Sequence, residues 1–412
     1  MKKISIPACI CACLLTLCLT LTGVFFWQRF SPRLGRAGSY TAEDKLAEAA
    51  GIIRENYIGE YDESLLADWA IDAMVASLND RWSFYMTAEE VAAYQMSSRN
   101  SYGGIGIVVE DNGDALGARV LKVYEHSPAG EAGVVPGSIF LSVDGQDVTG
   151  MERDGVVELV RQAITRQRVP VRQAITRQRV PLRLLCPDGE EREYTLVPGD
   201  VYTEPVSFRV LPGGLGYVRL ENFEGRSAQG AIDAVEALMA QGAPGIIFDV
   251  RENPGGQLSE LLQLLDYLLP EGKLFISRNI DGSEHVDYSK ESCVRLPMVV
   301  LINEDSYSAA EFFAAALREY GWASLVGAQT SGKGYAQITV PMTDGSAIHI
   351  SHIAYFTPKG VCLAGVGLTP DCIVELGEEE RGLLYYGMLP EEDDAQLAAA
   401  VELLLGSLPL SP

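Results

Sequence analysis

Two separated segments in the last third of the chain carry residue types that could perform acyl-transfer chemistry. The first, Val299–Tyr320, is typical of an apolar strand, a short turn and a helix that begins near Ser308. A serine at a helix start is commonly only an N-cap, but Ala309 and Ala310 are small and leave room for a substrate backbone. The helix start also offers free N–H groups and a positive dipole end, which suit an oxyanion. This pattern favours Ser308 as a nucleophile.

The second segment contains a lysine that could serve as the base for such a serine. Lys333 lies between Gly332 and Gly334, just before a predicted strand. A lysine accepts a proton only when it is neutral, and burial lowers its pKa toward that state. The flanking glycines allow a close backbone approach. A Gly-Lys-Gly turn alone is weak evidence for a catalytic lysine. The glycine spacing of a phosphate-binding loop is absent upstream of Lys333, which excludes a phosphate-binding role for this lysine.

The remaining chemical residue types favour neither a histidine triad nor a metal. None of the four histidines has a recognisable triad context, and no HExxH motif is present; they are His126, His285, His349 and His352. Four cysteines outside the amino-terminal segment are scattered without a CxxC pair, namely Cys186, Cys293, Cys362 and Cys372. We therefore expect no metal and no cofactor. A Cys362–Cys372 disulfide stays open, because an oxidising compartment would allow one.

The amino-terminal segment, residues 1–38, is predicted to be a membrane anchor and linker. The stretch Ile4–Trp27 has no charged residue and is long enough to cross a bilayer as a helix. No small-x-small cleavage site follows it directly, so an uncleaved anchor is favoured over a signal peptide. Lys2 and Lys3 favour a cytoplasmic amino terminus, although three arginines beyond the stretch oppose it. We expect one membrane pass with the body outside the cytoplasm.

The composition limits the partners of that body. The chain has 412 residues, 56 acidic against 32 basic, and a formal net charge of −24. Such an acidic surface repels phosphate backbones and anionic lipid, so nucleic-acid binding and broad membrane adhesion are disfavoured.

Changes in periodicity divide the body into four parts. Residues 39–98 contain two amphipathic helical patterns, which fit either a hairpin packed on the body or a dimerisation element. Residues 99–199 form a small, mostly β domain. Residues 200–376 alternate buried strands with helices, which indicates a layered α/β core. Residues 377–412 form a tail with an acidic segment and one more helix.

An identical tandem repeat interrupts the β domain. Residues 160–170 read VRQAITRQRVP, and residues 171–181 repeat this peptide letter for letter. Solenoid repeats are longer, more numerous and divergent, so this copy indicates a recent duplication or a sequence artefact. We expect it to form a surface loop with little effect, the alternative being altered coupling between the small domain and the catalytic one.

An ordered set of short motifs resembles the carboxyl-terminal processing, or tail-specific, proteases from about Ala42 to Leu376. In chain order the motifs are LNDRWSFYM (78–86), GGIG (103–106), SPAGEAG (127–133), PG (136–137), LGYV (215–218), DVRENPGG (249–256), SYS (306–308) and GKGYAQ (332–337). Each motif is weak by itself, but the set in this order is highly specific. The resemblance implies a crotonase-like catalytic core preceded by a PDZ domain, and a homodimer.

The same resemblance assigns roles within the site. It implies that Ser308 is the nucleophile, Lys333 the general base and Gln337 the residue that orients the lysine. The backbone N–H groups of Ala309 and Gly255 would form the oxyanion hole. The sequence departs from the family pattern at Tyr307, which is bulkier than usual, and at Ser331, where a phenylalanine is usual. Ser306 is kept as the alternative nucleophile.

The β domain resembles a PDZ module that would bind a substrate carboxyl terminus. Its Gly103-Gly104-Ile105-Gly106 loop would present N–H groups to the terminal carboxylate, and the next strand edge would pair with the peptide. We expect an endopeptidase that acts on extracytoplasmic proteins through a Ser308–Lys333 dyad. The competing hypothesis is a catalytically silent PDZ scaffold on a protease fold.

Overall fold

The computed structural model describes residues 41–113, 117–165, 179–291 and 293–408, together with Thr20, Thr22 and Val24. The chain divides into two compact units, Met1–Met74 and Val75–Pro412. None of the described helices is both long and apolar enough to cross a membrane. The predicted anchor, residues 4–27, lies outside the described residues apart from those three positions, so it stays a prediction.

The first unit is helical, as its amphipathic pattern predicts. Its helices are α1 (Ala42–Asn56) and α2 (Glu63–Ala76), the second of which runs past the unit boundary. A capping box begins α1, because Asp44 N donates to Thr41 Oγ1 at 3.2 Å and Thr41 N donates to Asp44 Oδ2 at 3.2 Å. Arg54 and Glu63 form an ion pair that joins the two helices.

The PDZ region is a small antiparallel sheet with one main helix. Two elements, β1 (Phe84–Met86) and α3 (Ala88–Ser97), precede this region. Its own elements are β2 (Ser101–Gly104), β3 (Ile107–Asp111), β4 (Ala118–Val123), α4 (Pro128–Glu131), β5 (Ile139–Val143), β6 (Gln146–Asp147), α5 (Arg153–Thr165), β7 (Val180–Leu185), β8 (Glu191–Leu196) and β9 (Gly199–Tyr202). The strand order is β3-β4-β5-β7-β8, with β6 beside β5, whereas β1 belongs to a sheet of the catalytic core. The alternating inward residues of these strands, among them Val120, Phe140 and Leu184, form a separate buried core.

The described residues of the repeated peptide lie at the start of the first copy and at the end of the second. The first copy supplies the end of α5, since the helix extends from Arg153 to Thr165. The second copy supplies the start of β7, whose first residues are Val180 and Pro181. The beginning of the first copy therefore completes α5, and the end of the second copy begins β7. Residues 166–178, between these two parts, lie outside the described residues.

The catalytic core is built on a mostly parallel sheet. Its elements are β10 (Val206–Val210), β11 (Gly216–Leu220), α6 (Ser227–Ala240), β12 (Ile246–Asp249), α7 (Leu258–Leu268), β13 (Gly272–Arg278), β14 (Glu284–Ser289), β15 (Met298–Ile302), α8 (Ala309–Glu319), β16 (Ala323–Gly327), β17 (Tyr335–Pro341), β18 (Ala347–Phe356) and β19 (Cys372–Ile373). The sheet order is β10-β11-β12-β15-β16-β19, and only β10 is antiparallel to its neighbour. Every residue of β12 and β15 is buried, as expected for parallel strands covered on both faces.

Helices cover both faces of this sheet. Helices α6, α7 and α8 pack on one face in a core that includes Phe248, Val300 and Phe313. The tail contributes α9 (Glu378–Tyr385), a short 3₁₀ turn (Glu391–Asp393) and α10 (Ala395–Ser407). Apolar side chains of α10, such as Leu397 and Leu404, cover the other face. The layered α/β core predicted from the sequence is confirmed.

A second sheet, which the sequence indicates only in part, adjoins the first. Its order is β1-β18-β13-β14, with β17 also paired to β18. The long alternating strand predicted at residues 346–355 is observed as β18. The hairpin β13–β14 was not predicted, because its residues alternate poorly and include several charges.

Candidate active site

Three loops meet at the carboxyl end of the parallel sheet. They follow β12, β15 and β16, which are neighbours in the sheet order. Because parallel strands end at one edge, the motifs that begin at Arg251, Asn303 and Ala328 are brought together there. Two hydrogen bonds join two of these loops. The side chain of Asn303 donates from Nδ2 to Glu252 Oε1 at 2.7 Å, and the backbone N–H of Tyr307 donates to the carbonyl of Asn253 at 3.1 Å.

Ser308 has a strained backbone at the start of α8. Its dihedral angles are φ 58° and ψ −125°, a conformation that non-glycine residues rarely adopt. Such strain costs roughly 1–3 kcal/mol and persists only where the surrounding structure enforces it. The same kind of sharp strand-to-helix turn exposes the serine of other hydrolases. The side chain is half-buried, so a substrate can reach it.

Ser306, the alternative nucleophile, is engaged in a structural role instead. Its side chain is fully buried. Its hydroxyl donates to Val250 O at 2.7 Å and accepts from Asn303 N at 3.0 Å. These bonds tie the end of β12 to the turn before α8, so Ser306 supports the loop rather than faces a substrate.

A buried carboxylate, Glu311, joins the serine segment to the lysine segment. Its Oε2 accepts from the backbone N–H of Ser308 at 3.0 Å and from that of Lys333 at 2.9 Å. Its Oε1 accepts from Thr330 Oγ1 at 2.5 Å and from Gly332 N at 2.8 Å. Burial raises the pKa of Glu311, although these four donors oppose the rise.

Lys333 has the partly buried environment that a lysine base requires. Burial lowers its pKa to about 8, against the opposing effect of Asp80 and Glu311. The amine lies 4.6 Å from the ring centroid of Trp82 and 5.8 Å from that of Tyr307. These aromatic faces provide apolar surroundings that still accommodate the ammonium form.

Both glycines beside Lys333 are required by packing. Gly332 has φ +79°, and an added Cβ would lie 2.8 Å from the backbone nitrogen of Val366. A Cβ at Gly334 would lie 2.5 Å from the backbone nitrogen of Ala364. The backbone of the lysine turn therefore packs closely against residues 363–367, which leaves no room for a side chain at either glycine.

In the structure, the side chains of Ser308 and Gln337 form hydrogen bonds with residues other than Lys333. Ser308 Oγ shares a hydrogen bond of 3.1 Å with Tyr355 Oη. Gln337 Nε2 donates to Tyr335 O at 2.7 Å and to Ser351 Oγ at 3.1 Å. Among the described residues, Lys333 Nζ forms no hydrogen bond with either Ser308 Oγ or Gln337. The backbones are thus brought together, while the dyad contact stays a prediction.

The predicted oxyanion-hole residues lie beside the nucleophile. An added Cβ at Gly255 would come within 2.7 Å of both Ala309 N and the Cβ of Ser308. Its φ of +85° and this close approach explain why glycine is present. In this arrangement Gly255 N donates to Asn253 Oδ1 at 2.8 Å. An oxyanion would have to displace that bond, so the role of Gly255 stays a prediction.

The predicted carboxylate loop is partly strand. Gly103 and Gly104 belong to β2 and pair with β9, while Ile105 and Gly106 connect β2 to β3. Ile105 is buried in the PDZ core, and Gly106 has φ +82°. Among the described strands, β3 pairs with β4 alone, which leaves its other edge at the margin of the sheet. An edge of this kind is where an extended peptide adds a strand.

Three contributors to this site were missed by sequence reasoning, namely Glu311, Tyr355 and Trp82. Glu311 had a readable signal, because an acidic residue three positions after a serine N-cap fits a capping box. Trp82 belongs to one of the family motifs, but nothing in that motif predicts that its ring contacts the Lys333 amine. Tyr355 carries no local signal, since strand β18 places it opposite Ser308 only in the folded protein.

The cysteines decide one alternative that the sequence left open. Cys186, Cys293, Cys362 and Cys372 are all free thiols among the described residues. The Cys362–Cys372 disulfide left open by the sequence is therefore not formed.

Three family descriptions match the chain in this order. Residues 34–90 match the amino-terminal domain described for the activating protease CtpB, and residues 119–171 match the PDZ domain. Residues 214–374 match peptidase family S41 and include Ser308 and Lys333.

Individual relatives agree with these matches. The carboxy-terminal processing protease CtpA of Bacillus subtilis is 30% identical over 83% of this chain and 72% of its own. The carboxyl-terminal-processing protease of Synechocystis is 29% identical over 83% of this chain and 78% of its own. A structure described as an S41 protease from Bacteroides fragilis shares the fold, with a TM-score of 0.55 and 17% identity over 91% of this chain and all of its own. This chain is therefore a peptidase of family S41 and belongs to the PDZ-containing carboxyl-terminal processing serine proteases.

Proposed function

We propose that this peptidase cleaves proteins with a Ser308–Lys333 dyad. The observation that carries the proposal is the carboxylate of Glu311, which binds the backbone N–H of both residues and so holds their segments at one point. The lowered pKa of Lys333, about 8, supports an amine that loses its proton more readily than an ordinary lysine. The strained backbone of Ser308 supports a presented nucleophile.

In the proposed reaction Ser308 forms an acyl-enzyme that water then hydrolyses. Lys333 takes the serine proton during attack and passes it to the departing amine. Reaching this state from the present arrangement requires a rotation of the Lys333 side chain from Trp82 toward Ser308. Gln337 would then leave Ser351 to hold the amine, and the N–H groups of Ala309 and Gly255 would bind the oxyanion.

The PDZ domain is proposed to bind the carboxyl terminus of the substrate. The open edge of β3, which lies in the sheet next to β4 with α5 packed nearby, supports strand addition by an extended peptide. We further propose that residues 4–27 anchor the protein and that the body acts outside the cytoplasm as a homodimer. The uncharged stretch supports the first of these proposals, and family resemblance supports the others.

The test uses the purified full-length chain, fluorescein-labelled casein and three variants. We expect the parent to release labelled peptides, and Ser308→Ala and Lys333→Ala to be inactive while keeping the parent's melting temperature. A Ser306→Ala variant serves as the matched control for loss of a nearby hydroxyl. It keeps Ser308 as the nucleophile and should still cleave casein. Turnover by a correctly folded Ser308→Ala protein would refute the assignment.

A peptide-binding measurement separates the scaffold hypothesis from the protease. The same proteins are titrated with a fluorescent peptide that has a free apolar carboxyl terminus. Binding by the parent without cleavage of casein would favour a scaffold. Binding together with cleavage, and with binding kept in Ser308→Ala, is the expected result.

A further inference from the structure

The side chain of the proposed nucleophile, Ser308, shares a hydrogen bond with the side chain of Tyr355. Its hydroxyl lies 3.1 Å from Ser308 Oγ, and its side chain is only 4% exposed. Strand β18 carries this residue 47 positions beyond the serine. None of the quoted family motifs includes Tyr355, and the proposed dyad mechanism gives it no role.

The tyrosine is held rigidly against both catalytic segments. Its ring packs edge-on against Phe312 of the nucleophile helix, with centroids 4.5 Å apart, and lies 5.4 Å from Phe275. Its backbone N–H donates to the carbonyl of Gly334, the residue after Lys333, at 3.2 Å. A hydroxyl fixed in this way can align a neighbouring oxygen with little loss of conformational entropy.

The chemistry of a hydroxyl defines what this contact can do. Burial raises the pKa of Tyr355 far above neutrality, and the hydrogen bond to Ser308 only partly opposes this, so the phenol keeps its proton. A serine hydroxyl has one proton to donate and two lone pairs that accept. If Tyr355 donates to one lone pair, the serine's own proton is left for an amine base and the second lone pair for attack.

We propose that Tyr355 is a further catalytic residue, which donates its phenolic hydrogen bond to Ser308 Oγ throughout the reaction. The inference rests on the proposed Ser308–Lys333 function. In acylation the Oγ–C bond forms, the serine proton moves to Lys333 and then to the leaving amine, and the C–N bond breaks. In deacylation a water molecule attacks and gives its proton to Lys333, the C–Oγ bond breaks, and Oγ takes that proton. Tyr355 keeps its own proton in both steps and stabilises the electron pair returned to Oγ.

The decisive variant is Tyr355→Phe in the full-length chain, because it removes the hydroxyl and keeps the ring between Phe312 and Phe275. We expect kcat on labelled casein to fall about 10- to 100-fold, as for loss of a hydrogen bond to a developing charge. KM and the melting temperature should stay unchanged. A fluorophosphonate probe should also label Ser308 more slowly, since that reaction uses the same activated nucleophile without the deacylation step.

The matched control is Tyr320→Phe, which removes a hydroxyl that donates to Lys273 O at 2.9 Å. This variant should retain the parent's kcat. Unchanged kcat in Tyr355→Phe, increased kcat, or an equal loss in both variants would overturn the inference. A loss accompanied by a lower melting temperature and a higher KM would assign the effect to packing and would also overturn it. If the parent cleaves no better than Ser308→Ala, the proposed dyad itself fails.

Discussion

At the scale of single residues, the two proposed catalytic groups need opposite surroundings. Ser308 must be accessible to a substrate, whereas Lys333 must be sheltered enough to lose its proton. The half-buried, strained position at the start of α8 meets the first requirement. The Trp82 face and the packed glycine turn meet the second. Glu311 allows both to coexist, because it binds backbone N–H groups rather than the reacting atoms.

The lowered pKa of Lys333 predicts how activity depends on pH. Below the pKa the side chain is an ammonium that cannot accept the serine proton, and above it the amine is free. We therefore expect kcat/KM to rise with pH and to level off above a midpoint near 8. The measurement is a casein-cleavage profile from pH 6 to about 10. Lys333→Arg should be inactive across this whole range, because a guanidinium stays protonated.

A second prediction concerns the buried carboxylate. Glu311→Gln keeps the side chain's size but replaces one accepting oxygen by an NH₂ group that faces N–H donors. We expect a loss of about 2 kcal/mol in the free energy of unfolding and at least a tenfold fall in kcat. Urea unfolding and casein cleavage measure the two effects.

Glu304→Gln is the control for Glu311→Gln. Its carboxylate lies in the turn before α8, is 44% exposed and pairs with Arg381 at 3.3 Å. Loss of an exposed pair should change stability by less than about 1 kcal/mol. Equal effects of the two substitutions would contradict a special role for Glu311.

At the scale of elements, the PDZ region tests whether the repeated peptide matters. Deleting either copy gives the same sequence, in which a single copy of the peptide leads from α5 into β7. The connection shortens by one repeat, which lowers the entropy cost of closing it by about 1 kcal/mol. We expect the deletion variant to melt at the same or a slightly higher temperature.

The peptide-binding site should also survive that deletion, because β3 and its open edge lie outside the repeat. The affinity for a carboxyl-terminal peptide, measured by fluorescence anisotropy, should stay within twofold of the parent's. A large change in affinity, or cleavage that appears only in the deletion variant, would instead mean that the insertion controls coupling to the catalytic core.

Elements with a clear period were predicted well, and those without one were not. The buried strands β12 and β15 and the amphipathic α7 agree with the alternation of buried strands and helices predicted for residues 200–376. Strands β13 and β14 were missed because each is a half-exposed strand with mixed polar and apolar residues. Pairing with each other, and of β13 with β18, makes them strands, rather than a local pattern.

At the scale of the whole molecule, a buried charge network ties the tail to the loop beside the nucleophile. Arg251, 1% exposed, donates to both oxygens of Asp249 and to both oxygens of Asp394. Burial alone would raise the pKa of Asp249, but Arg251 outweighs it and the pKa falls to about 2. The network thus fixes Asp249 at the end of β12, six residues before Gly255.

We expect Asp394→Ala to destabilise the protein by about 3–5 kcal/mol, because it leaves a buried guanidinium partly unpaired. Urea unfolding followed by tryptophan fluorescence gives the value. The control is Glu391→Ala in the same tail, which removes an exposed pair with Arg209 and should cost less than about 1 kcal/mol. Similar costs for the two variants would show that the network contributes no more than a surface pair.

The sequence by itself determined the class of the catalytic core, the family and the identity of the proposed nucleophile and base. These features are local, since strand runs, glycine turns and a serine at a helix start are all encoded within a few neighbouring residues. Only the tertiary structure decided that Ser306 is buried, that Glu311 spans both catalytic segments, and that Tyr355 meets Ser308. Each of these depends on strands far apart in sequence ending side by side, and a local pattern carries no record of which distant side chain its own will contact.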